Sequence, residues 1–223
     1  MWGIYGAQNV FFKRGTNMIK QGTIDWFNQR IGLVTASQVA NVVARTKTGT
    51  SEKRKRYLYE IVAERLTGQS VDVPVTAAMQ RGIDLEPMAR DIFAKTMKDF
   101  EVTEAEFYKH PTIKYAGASP DGLIGKFGLL EIKCLGQVAH SRQLAEPNKI
   151  LNKDHELQML WQQACQPERL FSIYLCYNPD FPVKQQLFVQ KIHRDNKKIR
   201  ELEVAVEDFL EEVEETLTKI KGE

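Results

Sequence analysis

The sequence has few cysteines, and it has no apolar run long enough to cross a membrane. Its three cysteines, Cys134, Cys165 and Cys176, are scattered and lack the paired spacing of a zinc site. Reduced, partly buried thiols of a cytoplasmic protein are therefore expected, rather than a disulfide framework. No signal peptide, internal repeat or low-complexity block is evident either. These features argue against secreted disulfide-rich, membrane-spanning and repeat proteins.

The composition is that of an ordinary soluble globular protein. The chain has 223 residues, enough for one sizeable core, with 43% hydrophobic and 27% charged residues. The net charge is only +2, but acidic residues are concentrated in residues 201–215, so the rest of the chain is basic. Local charge therefore matters more than the total for binding an anionic partner. We expect residues 1–17 to be an N-terminal extension and residues 18–223 to be a single domain.

Residues 115–135, YAGASPDGLIGKFGLLEIKCL, hold the most informative pattern. Asp121 and Glu131 are separated by a segment with three glycines, which predicts a hairpin that brings the two carboxylates opposite each other. Because side chains alternate along a strand, Lys133 points to the same side as Glu131. Two carboxylates with an ammonium beside them suit a Mg²⁺ site. Such a site can activate a water and stabilise charge developing on a phosphate.

The pattern Pro120-Asp121 followed by Glu131-Ile132-Lys133 resembles the PD-(D/E)xK nuclease superfamily. Residues 119–123 and 130–134 look like the matching stretches of phage lambda-type exonucleases, which digest one strand of a DNA duplex from its 5′ end. The resemblance implies an α/β fold with a restriction-endonuclease-like core, in which helices flank a central mixed sheet. The elements read along the chain agree, with helices, about five strands and then a final helix.

The resemblance also implies roles for individual residues. Glu86 lies in an Arg-Gly-x3-Glu pattern on a predicted helix, where the family has a third acidic residue, and Gln158 matches a glutamine near the attacking water. Both also fit ordinary surface positions. Lys133 would orient or deprotonate the water, or stabilise charge on the phosphate. The implied catalytic set is Asp121, Glu131, Lys133, Glu86 and Gln158. The implied ligands of Mg²⁺, for which Mn²⁺ can substitute, are Asp121, Glu131, Glu86 and the Ile132 carbonyl.

A second motif, Trp26-x3-Arg30-x-Gly32-x2-Thr35-Ala36-Ser37, also resembles the lambda-type family. In that family the matching arginine and serine hold the 5′-terminal phosphate, and Ser119 matches another residue of the pocket. A helix beginning at Thr35-Ala36-Ser37 would add free N–H groups for an anion. The alternative is a helix cap with a surface arginine. The implied phosphate-binding residues are Arg30, Thr35, Ser37 and Ser119.

Residues 45–56 are expected to form a basic loop. Lys47, within it, aligns with a family arginine that enters the DNA groove. The segment fits both contact with backbone phosphates and a solvated run of charge.

The function implied by the resemblance is a Mg²⁺-dependent 5′-to-3′ exonuclease acting on ends of linear double-stranded DNA. It would release 5′-mononucleotides and supply single strands for annealing-based recombination. The family implies a homotrimeric ring, a single-strand annealing protein as partner, and a phage or prophage protein in the bacterial cytoplasm, with no membrane contact. Two alternatives are another nuclease of the superfamily, such as an endonuclease or RecB-like enzyme, and a non-catalytic DNA-end-binding protein.

Overall fold

A computed structural model describes Ile19 and residues 21–47, 49–71, 76–98 and 100–222. The predicted N-terminal extension, residues 1–17, lies outside these residues. Among the helices described, none is long and apolar enough to span a bilayer.

Helices and strands are interspersed along the described part of the chain, which ends in a long helix, as predicted. The helices are α1 (Ile24–Asn28), α2 (Val39–Val42), α3 (Glu52–Thr67), α4 (Ala77–Thr96), α5 (Gln137–Ala145), α6 (Lys153–Cys165) and α7 (Asn196–Lys221). The strands are β1 (Val34–Thr35), β2 (Arg45–Thr46), β3 (Gly49–Thr50), β4 (Val102–Thr103), β5 (Tyr108–Lys109), β6 (Ala116–Ala118), β7 (Gly122–Ile124), β8 (Gly128–Lys133), β9 (Phe171–Tyr177) and β10 (Leu187–His193).

The central sheet is mixed, as predicted. Its five strands run in the order β10-β9-β8-β7-β4, with β8 and β9 parallel and the other neighbours antiparallel. Parallel neighbours need a crossover, and here α5 and α6 form it. A smaller sheet, β1-β6-β5, includes two strands, β5 and β6, that come just before the central hairpin in sequence. The predicted fold class, a mixed sheet with flanking helices, is confirmed.

Different helices cover the two faces of the central sheet. On one face, Phe93 of α4 is buried in a cluster with Leu130 and Ile132 of β8. On the other face, Met159 of α6 is buried with Tyr174 of β9. Alternate side chains of a strand point to opposite faces. Glu131 and Lys133, which alternate with Leu130 and Ile132, therefore point towards α6. This arrangement leaves the β8 carboxylate and ammonium on the face covered by α6.

Helix boundaries mostly follow local chemistry. The side chains of Ser51, Thr76 and Asp195 accept N–H groups at the starts of α3, α4 and α7, and Gly68 ends α3 with a φ of +68°. Pro87 does not divide α4, which is a single helix.

One prediction about this part of the chain is wrong. The segment 45–56 is not a single loop, because β2 and β3 pair as a hairpin and α3 begins at Glu52.

Two glutamates on the acidic face of α7 pair with arginines of α3. Arg54 Nη1 and Nη2 donate to the two carboxylate oxygens of Glu212 at 2.7 and 2.6 Å, and its Nε donates to the Val42 carbonyl at 3.0 Å. Arg65 pairs with Glu214 at 2.6 Å. The two arginines thus offset part of the negative charge that the sequence concentrates in this helix.

The β7–β8 hairpin requires glycine at position 128. A Cβ at Gly128 would lie 2.5 Å from Phe171 Cζ and 2.9 Å from Ile124 Cβ. We expect Gly128→Ala to lower the free energy of unfolding by about 1–3 kcal/mol, measured by denaturant titration. Gly82→Ala in α4 is the matched control, because a Cβ there meets nothing within 4 Å and raises helix propensity. Equal stability of the two variants would contradict a steric requirement for glycine at position 128.

Candidate active site

The β7–β8 hairpin places Asp121 and Glu131 opposite each other. Gly122 pairs with Leu130, and the register, continued by one residue, sets Asp121 against Glu131. The Asp121 N–H donates to the Leu130 carbonyl at 3.0 Å, which extends the ladder to this point. Gly125 makes the turn with a φ of +49°. The predicted hairpin geometry is therefore present.

The backbone of β8 holds the Asp121 carboxylate. Its Oδ2 accepts the Ile132 N–H at 2.6 Å, and the residue is only 8% exposed. In a strand, the N–H and C=O of one residue point to the same side. The Ile132 carbonyl oxygen therefore points from β8 towards the side where Asp121 lies. A third protein ligand of the predicted Mg²⁺ site must point to that side.

Two glutamines of α6 hold the Glu131–Lys133 pair. Glu131 is 1% exposed; its Oε1 lies 2.7 Å from Lys133 Nζ, and its Oε2 accepts Gln162 Nε2 at 2.5 Å. Lys133 Nζ in turn donates to Gln158 Oε1 at 3.0 Å. The sequence pointed to Gln158 but not to Gln162. The signal was available, because residues four apart share a helix face.

Glu86 lies nearby on α4 but does not join the two other acids. Its Oε1 pairs with Arg90 Nη2 at 2.6 Å, an i,i+4 contact that the sequence motif did not anticipate. In the part of the chain that the structure describes, no group of three His, Cys, Asp or Glu side chains could hold a metal ion. Asp121, Glu131 and the Ile132 carbonyl are thus the oxygen donors that the hairpin places on neighbouring strands here.

Burial and mutual repulsion make this site electrostatically unusual. The pKa of Asp121 is raised well above its usual range, first by burial and then by the charges of Glu131 and Glu86. Burial also raises the pKa of Glu86. For Lys133, burial alone would lower the pKa, but the charges of Glu131 and Asp121 outweigh it and the pKa is raised. A divalent cation would relieve the repulsion, and two carboxylates with a carbonyl are hard oxygen donors that fit Mg²⁺.

The residues predicted to hold a 5′ phosphate form a second cluster. Trp26 Nε1 donates to Ser119 Oγ at 3.0 Å, and the Arg30 guanidinium carbon lies 3.9 Å from the centroid of the Trp26 ring. Arg30 Nη2 donates to Ser37 Oγ at 3.5 Å, which lies 3.4 Å from Thr35 Oγ1. The structure thus brings all four predicted residues together, with Trp26 as the link between them.

Arg30 keeps unused hydrogen-bonding capacity. Its Nε is buried and has no partner among the described residues. Burial lowers its pKa to about 10, so the guanidinium remains charged at neutral pH. The helix expected to begin at Thr35 is a 3₁₀ turn, Ala36–Gln38, followed by the four-residue α2. Anion binding here would therefore depend on Arg30 and the hydroxyls rather than on a long helix.

Lys47 belongs to a different element from the residues of this cluster. It is exposed in the turn that joins β2 to β3.

Comparison with protein families gives a match to the YqaJ-like viral recombinase domain over residues 25–166. The match covers more than half of the chain and includes both clusters described above. The chain belongs to this family. The predicted membership of the phage lambda-type exonuclease group is confirmed, and the protein is a deoxyribonuclease.

Solved structures support the same placement. An alkaline exonuclease, LHK-Exo, from Laribacter hongkongensis is 38% identical, with 89% of this chain and 96% of that chain covered and a TM-score of 0.80. Its complex with dAMP gives the same identity and coverage and a TM-score of 0.81. A phage-related exonuclease from Haemophilus somnus 129PT shares the fold at 13% identity, with 87% and 99% covered and a TM-score of 0.67. No curated protein matches the chain.

The raised pKa of Asp121 predicts a pH-dependent cost in the metal-free protein. Ionisation of this carboxyl disfavours folding, so the cost grows as the pH rises through the raised pKa and vanishes below the unfolded value of about 3.9. Asp121→Asn removes the charge and keeps an oxygen for the Ile132 N–H. With a chelator present, we expect it to raise the melting temperature by more than ~2 °C near pH 8, and by progressively less towards pH 5.

The control for this measurement is Asp208→Asn on the exposed surface of α7, which should leave the melting temperature unchanged across the same range. A melting temperature of Asp121→Asn that is no higher than that of the wild type at high pH would contradict the buried-charge description.

Proposed function

We propose that this protein is a Mg²⁺-dependent 5′-to-3′ exonuclease that degrades one strand of linear double-stranded DNA to 5′-mononucleotides. The observation that carries the proposal is the pair of buried carboxylates, Asp121 and Glu131, with the half-buried Lys133 beside them and the Arg30 cluster next to them. Membership of a recombinase family and 38% identity to an alkaline exonuclease support the assignment as an exonuclease.

The acids on the hairpin are the proposed metal site. Asp121, Glu131 and the Ile132 carbonyl would hold Mg²⁺, or Mn²⁺ in its place, and Glu86 would help with a second ion. When bound, the metal activates a water and offsets charge on the phosphate. The backbone of β8 and the Gln162 amide of α6 orient the two carboxylates, and the ion would share Glu131 Oε1 with the Lys133 ammonium, which lies 2.7 Å from it.

Lys133 acts beside these acids. Its Nζ lies between Glu131 and Gln158, and the raised pKa keeps it protonated. A protonated amine stabilises negative charge on the phosphate and orients the water, and both roles fit better than removal of a proton. Gln158 accepts a hydrogen bond from the ammonium and would thereby help to orient the attacking water.

The second cluster gives the reaction its direction. Arg30, Ser37, Thr35 and Ser119 would grip the 5′-terminal phosphate through charge-assisted hydrogen bonds. Lys47, at the turn of the β2–β3 hairpin, would contact backbone phosphates of the duplex.

Assembly and biological setting extend this proposal. We propose a homotrimer around DNA and a single-strand annealing protein as partner. We also propose phage or prophage origin, with action in the bacterial cytoplasm. Family membership alone supports these points.

Removal of either charge at the hairpin should stop the chemistry. Asp121→Ala and Lys133→Ala are each expected to lower release of nucleotides from linear duplex by at least about 10²-fold, with DNA binding largely retained. The measurement is Mg²⁺-dependent release of acid-soluble nucleotides, with Asp208→Ala as a surface control. If the wild type binds DNA ends but releases no nucleotide with Mg²⁺ or Mn²⁺, the non-catalytic alternative is favoured.

The Arg30 cluster predicts a preference for phosphorylated ends. Wild type should digest linear duplex with 5′-phosphate ends faster than duplex with 5′-hydroxyl ends, and should leave closed circles intact. Arg30→Ala should lose at least about tenfold of this preference, the size of one charge-assisted hydrogen bond. Arg200→Ala, an exposed arginine on α7, is the matched control and should keep the preference.

Cleavage of closed circles by the wild type would favour an endonuclease of the same superfamily. Equal rates on both kinds of end would remove the role proposed for Arg30.

A further inference from the structure

Asp121 and Glu131, at the candidate metal site, each have one oxygen held by an uncharged N–H group. For Asp121, Oδ2 accepts the backbone N–H of Ile132 at 2.6 Å. For Glu131, Oε2 accepts the side-chain amide of Gln162 at 2.5 Å, while Oε1 faces Lys133. In each of the two carboxylates, one oxygen is therefore fixed by an amide N–H group, which comes from the backbone for Asp121 and from a side chain for Glu131.

The orientation of the Gln162 amide follows from chemistry. A carboxylate only accepts hydrogen bonds, so the amide must present its nitrogen to Glu131. Both residues are buried, with exposed fractions of 0% and 1%, so water does not compete for this contact. A charge-assisted hydrogen bond in such surroundings fixes the rotation of the carboxylate.

This restraint affects which cation the acids can bind. Mg²⁺ requires near-ideal octahedral geometry and takes single oxygens from one or two carboxylates. Ca²⁺ takes six to eight oxygens and is well served by a carboxylate that offers both. With Oε2 turned to the Gln162 amide, the oxygen left for a cation is Oε1, which it would share with Lys133 Nζ at 2.7 Å. A carboxylate that offers a single oxygen suits the smaller ion.

We propose that Gln162 is a positioning residue that holds Glu131 as a single-oxygen ligand and thereby makes the site favour Mg²⁺ over Ca²⁺. The inference rests on the proposed function, because it requires Asp121 and Glu131 to bind a divalent cation. Gln162 itself is separated from the cation by Glu131 and acts through it.

The chain offers a closely matched pair for the test. Gln162→Met keeps the length of the side chain and removes the amide donor. Gln163→Met makes the same change at the next residue of α6, which is also fully buried but donates to Ser172 Oγ at 2.9 Å, away from the acids. Gln162→Asn, whose amide is one methylene shorter, serves as a second variant if the methionine variant does not fold.

The readout is the dissociation constant for Mg²⁺ and for Ca²⁺, measured by calorimetry on the full chain without DNA. Partners that orient a metal ligand typically contribute 10–100-fold in affinity, so we expect Gln162→Met to weaken Mg²⁺ binding by about tenfold or more. Ca²⁺ binding should fall less or improve, which lowers the preference for Mg²⁺. Gln163→Met should keep the wild-type preference.

The outcomes separate this inference from the proposed function. If the wild type shows no Mg²⁺ binding that Asp121→Asn removes, the proposed metal site fails. If that binding is present but Gln162→Met and Gln162→Asn keep the wild-type ratio of the two constants, the inference alone is overturned. An equal loss for both ions also overturns it, because Gln162 would then support the site without selecting the ion.

Discussion

The structure depends on the burial of one carboxylate, that of Glu131, in the middle of the central sheet. A buried charge is tolerated only when it is paired and hydrogen-bonded. Lys133 supplies the charge from the same strand, and Gln162 supplies the hydrogen bond from α6. Because the partners come from different elements, α6 must pack against this face of the sheet, and the parallel crossover between β8 and β9 brings it there.

The two faces of β8 have different roles: one stabilises the fold and the other carries the candidate active site. Leu130 and Ile132 pack against α4, so the strand is fixed by an apolar contact that needs no particular charge state. The polar face can then hold groups that repel one another, and the pKa of Asp121 is raised first by burial and then by that repulsion. Functional sites commonly carry such a local cost, which the remaining packing offsets.

Local motifs predicted the parts of the site that neighbours in sequence create. The hairpin and the Glu131–Lys133 pair both follow from spacing and turn chemistry. Contacts between distant elements were out of reach, such as Arg54 with Glu212, which joins residues 158 positions apart. The basic segment 45–56 was misjudged because charge pattern alone does not distinguish a loop from the exposed start of α3.

The connection between the two clusters bears on the product that is released. Ser119, which Trp26 holds, is separated from Asp121 by Pro120 alone. Two residues of extended chain span at most ~7 Å, and proline restricts the path further. A terminal phosphate held at Ser119 would therefore lie close to whatever phosphate the Asp121 site receives. Because the two residues are so close along the chain, very few nucleotides fit between the 5′ phosphate held at Ser119 and the phosphate that is cleaved. Release of single nucleotides is therefore expected from the proposed roles of the two clusters.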